Sequence, residues 1–148
     1  MRNIVLACLV IIFTTLIVYM QVETHQFINL DDNAYITNNP HVASGLTVKN
    51  ITWAFHSVYA GNWHPVTWLS HMADVQLYGL NPRGHHLTSV AIHITSTLLL
   101  FLLLLRLTGT LLQSLFVAAL FALHPLHVES VAWVAERKDV LSRLLKFN

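Results

Sequence analysis

Three uncharged apolar runs, separated by one long polar stretch and one very short one, lay out this chain. The first covers residues 4–20, and its 17 residues would form a helix of roughly 25 Å, close to the ~30 Å hydrocarbon core of a bilayer. It can just cross. Arg2 gives it the minimal positive start of a secretory signal, but Val18-Tyr19-Met20 lacks the small residues that a signal peptidase requires, so the run reads as an uncleaved anchor. The second run, residues 87–105, has 19 residues without formal charge and ends in an almost pure Leu/Phe block closed by Arg106. The third, Leu111–Leu123, follows after only Leu107-Thr108-Gly109-Thr110 and predicts a tight helical hairpin. Within it Ser114, Ala118 and Ala122 recur every fourth position, a spacing that lets membrane helices approach closely, or that ordinary filler residues adopt by chance.

The pattern predicts an all-α membrane protein with about three transmembrane helices, near 4–21, 87–105 and 109–124. Amphipathic juxtamembrane helices lie in a long outer loop of about 22–85, and a further outer helix covers about 125–142. Pro65 can open a helix and Gly79 can end it; in that segment Trp68, His71, Val75 and Tyr78 share one face, as expected of a helix lying on the membrane. Asn81-Pro82 gives the next start signal. Asn39-Pro40 and Ser44-Gly45 mark turns. Trp53, Trp63, Trp68 and other rings spread through the loop suit the headgroup region.

Composition agrees: 55% of residues are hydrophobic and 10% charged, with a mean hydropathy of +0.56. From a net charge of +1 and no basic run, neither a nucleic-acid partner nor an acidic substrate follows, and no nucleic acid is expected as a partner. The single Cys8 excludes an internal disulfide. Charge bias leaves orientation open, because a cytoplasmic N-terminus puts Arg83, Arg137 and Lys138 near membrane ends on the outer face, where each needs an anionic partner.

Scarce charge makes the adjacent carboxylates Asp31 and Asp32 conspicuous. In extended backbone their side chains diverge, so one can serve as a general base while the other caps a turn, and the plain alternative is a solvated Asx turn. Ten histidines include His64, His71, His85, His86, His93, His124 and His127, without the spacing of a known metal motif. Hydrogen-bonding roles suit them, and no metal ligand set is assigned. His86, Ser89, His93 and Ser96 or Thr97 form a polar stripe on the second run, read as a cavity wall with helix-to-helix hydrogen bonding as the alternative. On a helix opening near Pro125, Glu129, Trp133 and Arg137 fall on one side, so Arg137 can pair with Glu129 or, with Lys138, hold a phosphate. Asn50-Ile51-Thr52 is a glycosylation sequon in a eukaryotic lumen.

The succession NLDDNAYITNN, GLTVKNITWAF, NWHPVTWLSHMADVQLYGLNPRGHH and LHPLHVESVAWVAERKDVLS resembles the N-terminal part of the TMTC-type O-mannosyltransferase-like proteins and their bacterial relatives, within the GT-C class of membrane glycosyltransferases. The resemblance covers about residues 27–142. It implies an N-terminus inside, the first loop on the extracytoplasmic or luminal side of a bacterial inner membrane or endoplasmic reticulum membrane, and catalytic residues Asp31 and Asp32. It further implies transfer of a sugar, mannose by analogy, from a polyprenyl-phosphate donor to a protein or glycan hydroxyl, with inversion. Arg137 and Lys138 would bind the donor phosphate, and His64, His93, His124, His127 and Glu129 would line the site. A divalent metal cofactor is left open. Family members continue through more membrane helices and tetratricopeptide repeats, whereas this chain has no repeats and ends in RLLKFN, so a partial gene product is expected. The competing reading is a non-enzymatic small membrane protein or inactive remnant that binds metal through histidines.

Overall fold

The computed structural model describes residues 2–29 and 31–146. Eight α-helices are defined there: α1 (Arg2–Tyr19), α2 (Pro40–Ala43), α3 (Val48–His56), α4 (Pro65–Tyr78), α5 (Pro82–Thr108), α6 (Leu111–Leu123), α7 (Val128–Ala132) and α8 (Arg137–Lys146). No β-strand occurs among the described residues. A lone antiparallel bridge closes the turn from Tyr59 to Asn62. The protein is thus an all-α membrane protein. Two of its helical segments, Arg2–Thr24 and Pro82–Thr108, are long and apolar enough to cross a bilayer. A third candidate is α6 with the segment Pro125–Ala132, bent by 51° at the break between them.

The membrane helices pack α1, α5 and α6 against one another. On α1 the buried positions are Ala7, Ile11, Thr15 and Tyr19, one residue per turn, while Leu6, Phe13 and Ile17 on the other faces stay exposed. In lipid this leaves an apolar surface outside, while Ala7 and Thr15 supply small residues to a helix contact that Ile11 and Tyr19 share. Ser114, Ala118 and Ala122 of α6 are all buried, and Ala118 belongs to one apolar cluster with Ala7, Ile11 and Phe101. The hairpin between α5 and α6 turns at Gly109, whose φ of +68° is left-handed and whose N–H caps α5 by donating to the Leu105 carbonyl at 2.9 Å.

Pro and Asn punctuation sets the loop helices as expected. Asn39 accepts from the His41 and Val42 N–H groups ahead of α2, Asn81 accepts from Arg83 ahead of α5, and Pro65 occupies the first turn of α4. α5 begins at Pro82, five residues before the apolar run, because the cap and not hydrophobicity decides where the helix starts. Its first turns therefore belong to the polar cap of the molecule. That cap is built on Tyr35, Ile36, Val42, Ala54, Trp68, Met72, Val134 and Ala135. Trp68 and Met72 of α4 are fully enclosed, and burying such side chains contributes about 1.5–3 kcal/mol each. Trp68 and His71 are buried and Tyr78 at the same face's end is exposed, so α4 turns the Trp68–His71 part of that face into the cap.

Three expectations are corrected. Asp32 does not sit in extended backbone: it is right-handed helical, with φ −58° and ψ −34°, at the entry to the π-helical segment Asn33–Thr37. The segment 125–142 is not one helix: Trp133 is extended, with φ −93° and ψ 120°, which ends α7 and re-aims the chain through a 3₁₀ turn into α8. The polar stripe of α5 is not a cavity wall. His86, Ser89, His93, Ser96 and Thr97 are each 1% exposed or less, and His93 Nε2 reaches the Ala122 carbonyl of α6 at 3.0 Å, so the stripe serves helix-to-helix packing.

Candidate functional site

The two adjacent carboxylates have opposite surroundings. Asp31 is exposed, whereas Asp32 is fully buried. Asp32 Oδ2 accepts from the Ile28 N–H at 2.8 Å, and Oδ1 accepts from the Ala135 N–H, also at 2.8 Å. Burial pushes the Asp32 carboxyl above the ordinary carboxylate range, and the two backbone donors pull against that rise. Asp32 thus clamps the acidic loop to the turn Val134–Glu136, immediately before Arg137 and Lys138.

That clamp brings Lys138 to the acidic loop. Its Nζ stands 5.7 Å from the centre of the Tyr35 ring and donates to Glu136 Oε1 at 2.8 Å. Tyr35 in turn accepts from Asn62 Nδ2 through its hydroxyl. Burial raises the Tyr35 phenol, and Lys138 and Asp31 act on it with opposite sign. Lys138 also borders an open groove of about 400 Å³ between α3, α4 and α8, lined by Phe55, Trp63, His64, Pro65, Leu141 and Leu145 among others. Burial first, and Lys138 second, lower the His64 pKa, so its imidazole is neutral at pH 7.

Arg137 is placed otherwise than its neighbour. It is fully buried, pairs with Asp74 Oδ2 through Nη1 at 2.6 Å, and donates to Ser70, Ser89 and the His85 carbonyl. Its three nitrogens are committed inside the protein, joining α4, α5 and α8. It makes no pair with exposed Glu129, because the break at Trp133 separates the two that a continuous helix would align. All three cations whose position called for an anion have one: Arg83 pairs with Glu23, Arg137 with Asp74, and Lys138 with Glu136.

His93, His124 and His127 fall into a second cluster. His93 packs on Tyr19, Phe121 and His127, His124 caps the turn after α6 by accepting from Leu126, and His127 accepts from Arg143 at 2.8 Å. His64 alone among the expected lining histidines borders Lys138. Sequence reasoning missed Asp74 and Ser70, which hold Arg137. The signal available was the three-residue spacing of His71 and Asp74 on a helix whose Trp68 face is buried. Asn50, in the sequon, is buried and donates its amide to Gly45 and Ser44, so its nitrogen is occupied by the fold.

Fold and site together define a helical integral-membrane protein whose polar cap presents an exposed carboxylate beside a clamped one. No family profile and no solved structure matches the chain. Among curated proteins it is 33% identical over 119 residues to the protein O-mannosyl-transferase Tmtc1 of Drosophila melanogaster, covering 76% of this chain and 14% of that protein. It is 34% identical over 124 residues to TMTC1 of Mus musculus, covering 78% and 13%. Against tmtc2 of Xenopus laevis the identity is 30% over 135 residues, covering 87% and 16%. The chain is TMTC-like, and it spans about one seventh of the length of these relatives.

Proposed function

We propose that this chain carries the acidic half of a membrane glycosyltransferase site, with the Asp31–Asp32 loop on the extracytoplasmic or luminal side. Asp31 is the base: an exposed carboxylate can reach an acceptor hydroxyl and take its proton as the oxygen attacks the anomeric carbon of a lipid-linked sugar, with inversion. Asp32 is a positioning residue, since both its oxygens are spent on backbone donors. Lys138 is the cation for the departing phosphate, because it borders an apolar groove able to take the start of a lipid chain, whereas Arg137 braces the cap from within.

The observation that carries this reading is the bond from Ala135 to Asp32. It sets the acidic motif beside the basic one across 103 residues of sequence. Names of the relatives support mannose as the sugar and a protein hydroxyl as the acceptor.

The test is mannosyl transfer from a polyprenyl-phosphate donor, by the chain or by a longer protein containing it. Asp31→Asn is expected to lower kcat by ~10²–10⁴-fold, the usual worth of a positioned base, and Lys138→Met to raise the donor KM. Full transfer after Asp31→Asn and Asp32→Asn together overturns the reading.

A further inference from the structure

Beneath the clamp, His71 and Asp74 of α4 face His85 in the first turn of α5. One ligand atom from each lies within 4.8 Å of the other two, and all three residues are buried. Two features there are left unexplained by protein contacts. Neither ring nitrogen of His71 has a hydrogen-bond partner, although the residue is wholly enclosed, and a buried polar group without a partner is rare in folded proteins. His85 Nε2 lies 3.1 Å from the Gly79 carbonyl, which can only accept, so that nitrogen carries the proton. In the neutral ring Nδ1 then holds a lone pair, and it points at Asp74 Oδ2 from 3.5 Å. Two lone pairs facing each other in a dry interior call for a metal cation or a proton between them.

We propose that His71, Asp74 and His85 bind a divalent cation of the Zn²⁺ type as a structural staple between α4 and α5. Two imidazoles and one carboxylate are the borderline ligand set that Zn²⁺ takes, with a water for the fourth position. Bonds of ~2.0–2.2 Å put tetrahedral ligands roughly 3.3–3.5 Å apart, so the longest spacing here closes by small side-chain rotations. The Gly79 carbonyl plays the usual part of the outer partner that fixes a metal-bound histidine's tautomer. Asp74 Oδ2 has two lone pairs and can hold Arg137 and the ion together, while Oδ1 accepts from Thr88 at 2.8 Å. Burial on all sides makes the ion structural. The inference is independent of the transferase reading, because none of the three residues touches Asp31 or Lys138 in the contacts described above.

The experiment is metal analysis of the full chain purified in detergent, with Zn²⁺ titration and X-ray absorption at the zinc edge. About one Zn²⁺ per chain is expected, with an imidazole-containing, sulfur-free shell. Binding should weaken more than about 100-fold in His71→Gln and in His85→Gln, beyond the loss that removing an outer partner causes, and stay unchanged in His56→Ala. The absorption spectrum of the unsubstituted chain decides the matter if either Gln variant fails to fold. No uptake overturns the proposal and leaves an imidazolium–carboxylate–guanidinium cluster; so does a shell without imidazole, or binding that both Gln variants retain.

Discussion

The backbone N–H of Ala135 donates to the side chain of Asp32 at 2.8 Å, across 103 residues, and this bond divides the labour of two adjacent carboxylates. Removing it in Asp32→Ala strands the N–H groups of Ile28 and Ala135, at a cost of about 1–3 kcal/mol each. Asp31→Ala touches no such group and should stay within about 0.5 kcal/mol of the parent. Thermal unfolding in detergent separates the two.

The same burial predicts a pH signature. A carboxyl whose folded pKa is raised favours the folded state in its protonated form. Its contribution is complete below the unfolded value and is lost as pH rises through the folded one. The Tm advantage of the parent over Asp32→Asn should therefore shrink as pH rises from 4 to 7, and an advantage that grows would contradict the assignment.

Arg137 and Lys138 are neighbours with opposite expected failures. Arg137→Ala takes the guanidinium partner from the buried Asp74 carboxylate, and breaking a buried ion pair in this way typically costs about 3–5 kcal/mol. Lys138 is half-buried, and its ion pair is with Glu136 two residues away, so Lys138→Met should leave the unfolding free energy within about 0.5 kcal/mol of the parent and register in donor binding.

Gly84 is required by packing and not by backbone angle. A Cβ at that position would run into the Tyr78 ring at the corner between α4 and α5. Gly84→Ala should destabilise by about 1–3 kcal/mol through overpacking, and Gly84→Ala with Tyr78→Ala should recover part of that loss.

The Asn50 sequon should stay unmodified when the chain is made in a eukaryotic secretory pathway. Its amide is buried against Gly45 and Ser44. Glycosidase treatment should leave the electrophoretic mobility unchanged, and a shift would show that the fold opens there before it closes.

Several features were legible in the sequence because they depend on near neighbours. The apolar runs, the Pro and Asn starts at Pro65 and Pro82, the Gly109 hairpin and the small-residue face of α6 all follow from local sterics, capping and the length of a bilayer. The motif order alone was enough to indicate a TMTC-like chain, which the relatives bear out. Other features depend on which segments meet. Asp31 and Asp32 are the same residue type side by side, and only the approach of Ala135 buries one and leaves the other exposed. Arg137 and Lys138 likewise differ because adjacent positions on α8 point in different directions, and packing puts Asp74 beside one and Tyr35 beside the other. Composition and period determined that this protein is helical and lives in a membrane. Tertiary contact decided which of its few charges are structural and which are free to act, because desolvation and hydrogen bonding are set by what packs around a group and not by what precedes it in the chain.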